Sequence, residues 1–369
     1  MIITEGTTNL KVHLSDIPKK SDPVFYNKVM QMSRDISIAA VGILKPERFC
    51  DLLSGTGARG VRVANETSCP SVVLNDANPN AYRIINENLD LNSLSHPVVK
   101  NLNANLLLAE YTSCGDLFDF VDIDPFGSPV RFIDSAVSSL KRGGVLAITA
   151  TDTGALCGTY PAACRRRYDA IPLKNEFYNE TGLRILIGYA ARAALRRERG
   201  ISVLFSHCTS HYFRSYIMLG PKKYIKDTIK NLAFIQYCPV CMHRHYTSLS
   251  DIEKQCACGG LFKNAGVVWS GNFADIEFCE NLKNEISEGV FNTKKEALKL
   301  IDLAAGEQGI TKPYYDIHKI CKLLKIPAPS MDAVMGNLEK KGIASARSHF
   351  CGTGLRCGED IGEIVNVIK

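Results

Sequence analysis

"RFCDLLSGTGARGVRVANE" occupies residues 48–66. It opens with a short apolar run, passes through a glycine loop and ends in a helical pattern. The loop is literally G-x-G-x-x-G, with Gly55, Gly57 and Gly60. Glycines at these places allow a tight turn and a close backbone approach to a ligand. Strand, glycine turn and helix in that order form the first unit of a nucleotide-binding α/β sheet. The unit recurs downstream. "SVVLND" (71–76) reads as a strand that leads through a turn into a helix over 76–92. "HPVVKNLNANLLLAE" (96–110) gives another strand and helix, and "LFDFVDIDPFG" (117–127) a fourth strand. "SPVRFIDSAVSSLKRGG" (128–144) reads as a helix with a glycine stop, and "VLAITATD" (145–152) as a fifth strand. Alternation of this kind predicts a parallel sheet with helices on both faces. "ISVLFSHCTSHYFRSYIMLG" (201–220) then reads as two antiparallel strands at the sheet edge.

The ligand follows from the acids around the loop. Asp76 lies 21 residues after Gly55 and ends the second strand, where an acid can accept from a ribose diol. That fits a nicotinamide dinucleotide, and it fits S-adenosylmethionine equally well. Asp51, four residues before Gly55, separates them: a carboxylate there suits a sulfonium bearing an ammonium group and repels a pyrophosphate. The terminal antiparallel pair also belongs with methyltransferases and not with dehydrogenases.

"DIDPFGSP" (122–129) ends the fourth strand, and ligands of open parallel sheets lie beyond that end. The lone pair of a base's exocyclic amine is delocalised into the ring. The Asp124 carboxylate and the Pro125 carbonyl can accept from both N–H groups, localise the lone pair and let Asp124 take the proton. Phe126 can stack on a base taken out of its helix. Asp122 points to the same face, deeper inside.

The chain has 369 residues, enough for two or three domains. Its 46% hydrophobic and 22% charged content is that of a globular protein. No long uncharged apolar stretch predicts a membrane span, and the opening lacks the pattern of a secretion signal, so the expected location is the cytoplasm with most thiols reduced. Residues 1 to about 45 mix turn residues with one helical pattern (24–44). Net charge is +6, and residues 165–200 carry nine Lys/Arg against four Asp/Glu, a local excess that suits a polyanion. After a connector at 221–232, Cys238-x2-Cys241 and Cys256-x-Cys258 are separated by 14 residues. Two such pairs read as a structural zinc site, a zinc ribbon over about 236–268. The second pair is tighter than usual, so His243 or His245 could replace one cysteine. Residues 291–356 give helix, turn and helix patterns and a short hairpin, a winged-helix-like module over about 290–360.

These residues resemble a known family, archaeal tRNA (guanine-26 N2)-dimethyltransferase, over nearly the whole chain. The resemblance is carried by "SRDISI" (33–38), "SGTGARG" (54–60), "LNDANP" (74–79), "DIDPFGSP", "TDTGALCG" (151–158) and "PYYDIHKICKLLKIPAPSMD" (313–332). It implies a class I Rossmann-like methyltransferase domain over 1–222 and a C-terminal α+β, tRNA-binding domain over 223–369. It further implies that Arg34, Arg59, Asp76, Asn103 and Ala104 hold S-adenosylmethionine beside the Gly55–Gly57 turn. Asn103 departs from the more usual aspartate. Asp124 and Phe126 carry over as catalytic acid and base platform. Lys319, Lys322, Arg347 and His349 are the expected tRNA contacts of the winged-helix module, and no obligate protein partner is expected. A nicotinamide-dependent dehydrogenase and a non-catalytic zinc-containing RNA-binding protein are the alternative readings.

Overall fold

The structure, a computed structural model, describes residues 1–13 and 24–368. Part of the turn-rich reading of the opening residues, 14–23, lies outside the described residues. The chain starts with a hairpin, β1 (Ile2–Glu5) and β2 (Thr8–Lys11), which the sequence reading did not separate from turns, followed by α1 (Gln31–Leu44). The alternating series comes next. It runs β3 (Arg48–Asp51), α2 (Ala58–Glu66), β4 (Ser71–Asn75), α3 (Pro79–Leu91), β5 (Val98–Lys100), α4 (Ala104–Ser113), β6 (Phe118–Ile123), α5 (Val130–Ser139) and β7 (Leu140–Ala150). Three helices, α6 (Thr153–Leu156), α7 (Pro161–Tyr168) and α8 (Tyr178–Leu195), lead to β8 (Gly200–Thr209) and β9 (Tyr212–Gly220).

Seven strands form one sheet in the order β5-β4-β3-β6-β7-β9-β8. The first five are parallel, and β9 is antiparallel to both of its neighbours. The hairpin therefore folds back on itself, so that its second strand enters the sheet and its first forms the edge. The order reverses between β3 and β6, so the ligand crevice opens beyond their carboxyl ends. One boundary differs from the sequence reading. α5 stops at Ser139 because Leu140 turns extended, buries its side chain and pairs with Phe118. The glycine pair Gly143–Gly144 thus lies inside β7, beside a register shift in the β6–β7 ladder, and does not cap a helix.

Beyond α9 (Ile225–Lys230), strands β10 (Leu232–Tyr237), β11 (Arg244–Thr247) and β12 (Lys263–Trp269) form an antiparallel sheet in the order β11-β10-β12. Two helices follow, α10 (Ile276–Glu288) and α11 (Lys294–Gly306). Then come β13 (Tyr315–Asp316), α12 (Ile317–Leu324), α13 (Met331–Lys340), β14 (Ser345–Arg347), β15 (Gly354–Cys357) and α14 (Ile361–Ile368). The sheet β13-β15-β14 with α11, α12 and α13 is a winged-helix arrangement.

The C-terminal elements join the main sheet through apolar packing and a buried polar seam. α10 packs on α1, and β12 on α8. Arg184, fully buried on α8, donates to the carbonyls of Trp269 and Gly271 (both 2.9 Å) and of Thr311 (3.1 Å). Glu180, one turn earlier, accepts from Arg184 Nε (2.8 Å), Tyr314 N (3.0 Å) and Arg356 Nη1 (3.0 Å). Asp35 on α1 accepts from the Thr293 amide (3.0 Å) and hydroxyl (2.7 Å) at the start of α11. The seam and its surroundings take up part of the basic charge of residues 165–200. Arg184 is internal, and Arg192 and Arg199 donate to the carbonyls of Tyr168 and Leu140 (both 2.6 Å). These three of the nine basic side chains serve the fold, while Arg165, Arg166, Arg167, Lys174, Arg196 and Arg197 are exposed.

A correction concerns His349. Its side chain is fully shielded, with Nδ1 2.6 Å from Glu307 Oε1 and the ring against Phe350. A ring enclosed in that way cannot grip tRNA. Lys319 and Lys322 are exposed, and Arg347 is exposed and paired with Asp332 at 2.7 Å.

Candidate active site

The glycine loop connects β3 to α2 at the point where strand order reverses. Gly55 (φ +55°) and Gly57 (φ +76°) occupy left-handed backbone, which glycine adopts without penalty. Gly60 serves packing instead. A Cβ there would lie 2.5 Å from Leu74 Cδ2 and 3.1 Å from Asp51 Cβ, so α2 can approach the sheet only with glycine at that position. Asp76 braces the turn: its Oδ2 accepts from the Gly55 amide and its Oδ1 from the Asn78 amide, both at 2.9 Å.

Beyond this loop lies a cavity of about 400 Å³. Its walls bring together Arg34, Gly55, Arg59, Asp124, Pro125 and Phe126, with Asp51 at its base. An adjoining cavity of about 210 Å³ shares Gly55 and Asp124 and adds Asp76. Gly57 shapes the turn without lining either space. Asn103 and Ala104 stand at the start of α4, where the exposed Asn103 caps the helix by accepting from the Asn105 amide at 3.0 Å. They line neither cavity. Asn101, just before them, donates to the Asp76 carbonyl at 2.7 Å, which puts this helix start beside the Asp76 turn.

The acids are wired to buried arginines. Arg59, 5% exposed, places Nη2 2.5 Å from Asp124 Oδ2 and Nε 3.5 Å from Asp122 Oδ1. Arg214 on β9 makes a bidentate pair with Asp122 and also donates to the hydroxyls of Thr149 (2.9 Å) and Ser37 (3.1 Å). Although burial opposes it, the Asp122 carboxylate beside Arg214 keeps that guanidinium charged. Asp51 is different. Burial, and then the nearby Asp122, push its carboxyl up to about 7, while Oδ2 accepts from the Gly60 amide at 2.9 Å. When all are ionised, three carboxylates face two guanidiniums, which leaves one negative charge in the crevice. Phe126 is 44% exposed, and its ring meets Phe25 edge-on with centroids 4.1 Å apart. The loop behind it is fixed to the end of β7: Gly127 N donates to Thr151 Oγ1 (2.7 Å) and Thr151 N to Gly127 O (2.9 Å).

Four thiols form a second centre. Cys238, Cys241, Cys256 and Cys258 bring their Sγ atoms within 4.8 Å of one another, with Cys238–Cys258 at 3.5 Å and Cys241–Cys256 at 3.6 Å. Among the described residues, neither His243 nor His245 belongs to this group.

The family model described as N2,N2-dimethylguanosine tRNA methyltransferase matches residues 6–369. The chain belongs to this family. It is 40% identical over 380 residues to tRNA (guanine(26)-N(2))-dimethyltransferase of Methanosphaera stadtmanae, covering 100% of this chain and 96% of that protein. It is 38% identical to the protein of the same name from Methanosarcina acetivorans, covering 100% and 98%. The solved structure of Trm1 from Pyrococcus horikoshii with S-adenosyl-L-methionine superposes with a TM-score of 0.89 at 32% identity, over 100% of both chains.

In this N2,N2-dimethylguanosine tRNA methyltransferase, several residues around the cavity escaped the sequence reading. Glu5 holds Arg34 through Nε (2.8 Å) and Nη2 (2.6 Å) and also accepts from the Tyr26 hydroxyl. Arg34 sits in α1 beside Asp35, which hides its need for a partner, and Glu5 lies in a short strand with no pattern to mark it. Tyr212 lines the cavity from the start of β9. Arg214 was the most detectable: an arginine in the apolar strand "YFRSYIML", two strands from Asp122, calls for a carboxylate.

Proposed function

We propose that this protein transfers methyl groups from S-adenosylmethionine to the N2 amine of guanosine 26 in tRNA, once or twice, in the cytoplasm. The observation that carries the reading is the placement of Asp124 and Pro125 on one wall of a cavity whose other wall is the glycine turn. The donor is a sulfonium with an ammonium and a carboxylate, so it carries one net positive charge. That complements the single unpaired negative charge among Asp51, Asp122 and Asp124. Asp51, Arg34 and Arg59 would hold the donor in the cavity, with Asp76 on its ribose side and Asn103 and Ala104 at the adjoining helix start.

When bound, the donor supplies an electrophilic methyl group. Asp124 and the Pro125 carbonyl accept from the N2 amine and direct its lone pair away from the ring. As the N–C bond forms and the S–C bond breaks, the amine proton becomes acidic and passes to Asp124. Arg59 pairs with Asp124 beforehand, and a weak base suffices for so acidic a proton. Phe126, with Phe25 at its edge, offers a face on which the extruded base can stack.

Residues 1–222 are assigned the transfer and 223–369 the grip on tRNA, through Lys319, Lys322 and Arg347. The four cysteines fit a structural zinc. A tetrahedral site with Zn–S distances of about 2.3 Å has sulfur–sulfur edges of roughly 3.8 Å, close to the 3.5 and 3.6 Å of the two thiol pairs. Such a site has no open position and serves the fold.

Labelled donor and unmodified tRNA, followed by mass spectrometry of the nucleosides, test the reading. Mono- and dimethylguanosine should form at position 26, and a transcript with adenosine there should gain no label. Tight binding of a nicotinamide dinucleotide with no affinity for S-adenosylmethionine would return the dehydrogenase reading to first place. Among the described residues no helix is long and apolar enough to cross a membrane.

A further inference from the structure

We propose that the face formed by Tyr160 and the arginines of α7 receives the RNA immediately beside the target base, one base stacking on Tyr160 and the adjacent phosphates meeting Arg165 and Arg166. This rests on the tRNA reading above. Tyr160 is 65% exposed, more than Phe126 at 44%. Among the described residues it is the most open of the exposed aromatics, the others being Tyr82, Phe126 and Tyr178 at 40–44%. It is also held in place: its amide donates to the Gly154 carbonyl at 2.8 Å, and a Cβ on Gly154 would lie 2.9 Å from the ring carbons. The Cδ2–Cε2 side of the ring therefore lies close to Gly154 while most of the ring stands in solvent.

α7 buries Cys164 and Tyr168 and turns Arg165, Arg166 and Arg167 outward. Arg167 is spent on Asp152 (2.9 Å), which also accepts from the Tyr168 hydroxyl (2.6 Å). Arg165 and Arg166 have no carboxylate partner among the described residues. With Asp152 neutralised, the face is positive. A groove of about 690 Å³ runs between Tyr160, Arg166 and Arg167. An open aromatic sharing a groove with Arg166, with Arg165 exposed beside it on α7, matches an unstacked nucleotide, which offers a π face and a phosphate together.

Position makes this face the neighbour of the transfer site. Thr151 lines the cavity that holds Asp124, and Asp152 lines the groove, so two consecutive residues separate the two spaces. The Asp124–Gly127 loop is bonded to this partition at Thr151. It is bonded again through Ser128, whose hydroxyl donates to Tyr168 Oη at 2.9 Å. A base extruded into the cavity would leave its flanking nucleotide over the groove.

The test is tRNA binding by the full-length protein, measured by fluorescence anisotropy across a salt series. R165A/R166A should weaken binding about tenfold near 0.1 M salt and reduce the log–log salt slope by about 1.4–1.8, the share of two phosphates. Y160A should weaken binding about tenfold with little change in slope, and Y160F should bind like the original protein. Donor affinity should be unchanged in all three. If the original protein methylates tRNA and the variants match its affinity and slope, the face is not an RNA site and the methyltransferase reading stands. If the variants lose binding as stated but no methyl group reaches tRNA, the surface stands and the assigned reaction falls. Equal losses in Y160A and Y160F would remove the stacking role.

Discussion

At the residue scale, Asp51 and Asp124 are carboxyls in different surroundings, and the proposed tasks differ accordingly. Asp51 is pushed up to about 7 by burial, with Asp122 adding to the effect. A cation bound beside it favours its ionised form, so donor binding should be linked to loss of a proton. Donor affinity should rise about tenfold from pH 6 to pH 8, and Asp51→Asn should flatten the profile. Calorimetric titration at three pH values checks this, and a flat profile in the original protein would take Asp51 out of contact with the donor. For stability the sign is opposite. A carboxyl whose folded value lies above its unfolded one makes the donor-free protein less stable as pH rises from about 4 to about 7. Asp124 instead sits against Arg59, and the proposal makes it the acceptor of the amine proton. Asp124→Asn should slow methyl transfer by about 10²- to 10⁴-fold and leave donor affinity within a few-fold of the original. Single-turnover transfer with a parallel donor titration separates the two effects, and near-normal turnover would remove Asp124 as the proton acceptor.

At the element scale, the contact between α2 and the sheet depends on the missing side chain at Gly60. Gly60→Ala should destabilise the protein by about 1–3 kcal/mol, because Leu74 is fully buried and has little room to withdraw. Urea unfolding would show it, and an unchanged midpoint would mean the helix can shift freely. The β10–β11–β12 sheet is where the proposed zinc would be felt. Removal of metal by a chelator, or Cys238→Ser, should open residues 236–268 to hydrogen exchange while β3–β7 keep their protection. These elements were largely readable in advance because their patterns are local: period-2 and period-3.6 alternation, glycine punctuation and cysteine spacing. What was not readable depended on distant partners. Nothing near Leu140 announces that it will pair with Phe118, and β1–β2 is too short to show alternation. His349 resembled a surface contact until Glu307, 42 residues earlier, enclosed it. The arginines at 184, 192 and 199 looked like a polyanion site because sequence shows charge without showing burial.

At the scale of the whole molecule, a chain of buried charges crosses from α8 into the winged-helix region. Arg356 bonds Glu180 and, through Nε, Glu307 at 2.6 Å. Burial alone would raise Glu307, but Arg356 and His349 hold it down to about 2. The stability it contributes is present above the usual glutamate range and is lost as pH falls toward 2. Arg356→Leu strands two acids and should cost about 3–5 kcal/mol, with acid unfolding moved to higher pH. Circular dichroism over an acid titration reads the shift, and an unmoved transition would mean the seam carries little of the fold.

The Asp35–Thr293 contact has a consequence for the order in which the protein becomes competent. Asp35 is one residue from Arg34, on the helix that forms a wall of the donor cavity, yet its partner is added 258 residues later in synthesis. A nascent chain that has emerged only as far as β9 possesses every strand of the main sheet. It still lacks what anchors α1 from outside and what satisfies Arg184. The growing polypeptide would acquire its full grip on the donor only near the end of translation, so a stalled ribosome would release a sheet without a finished enzyme.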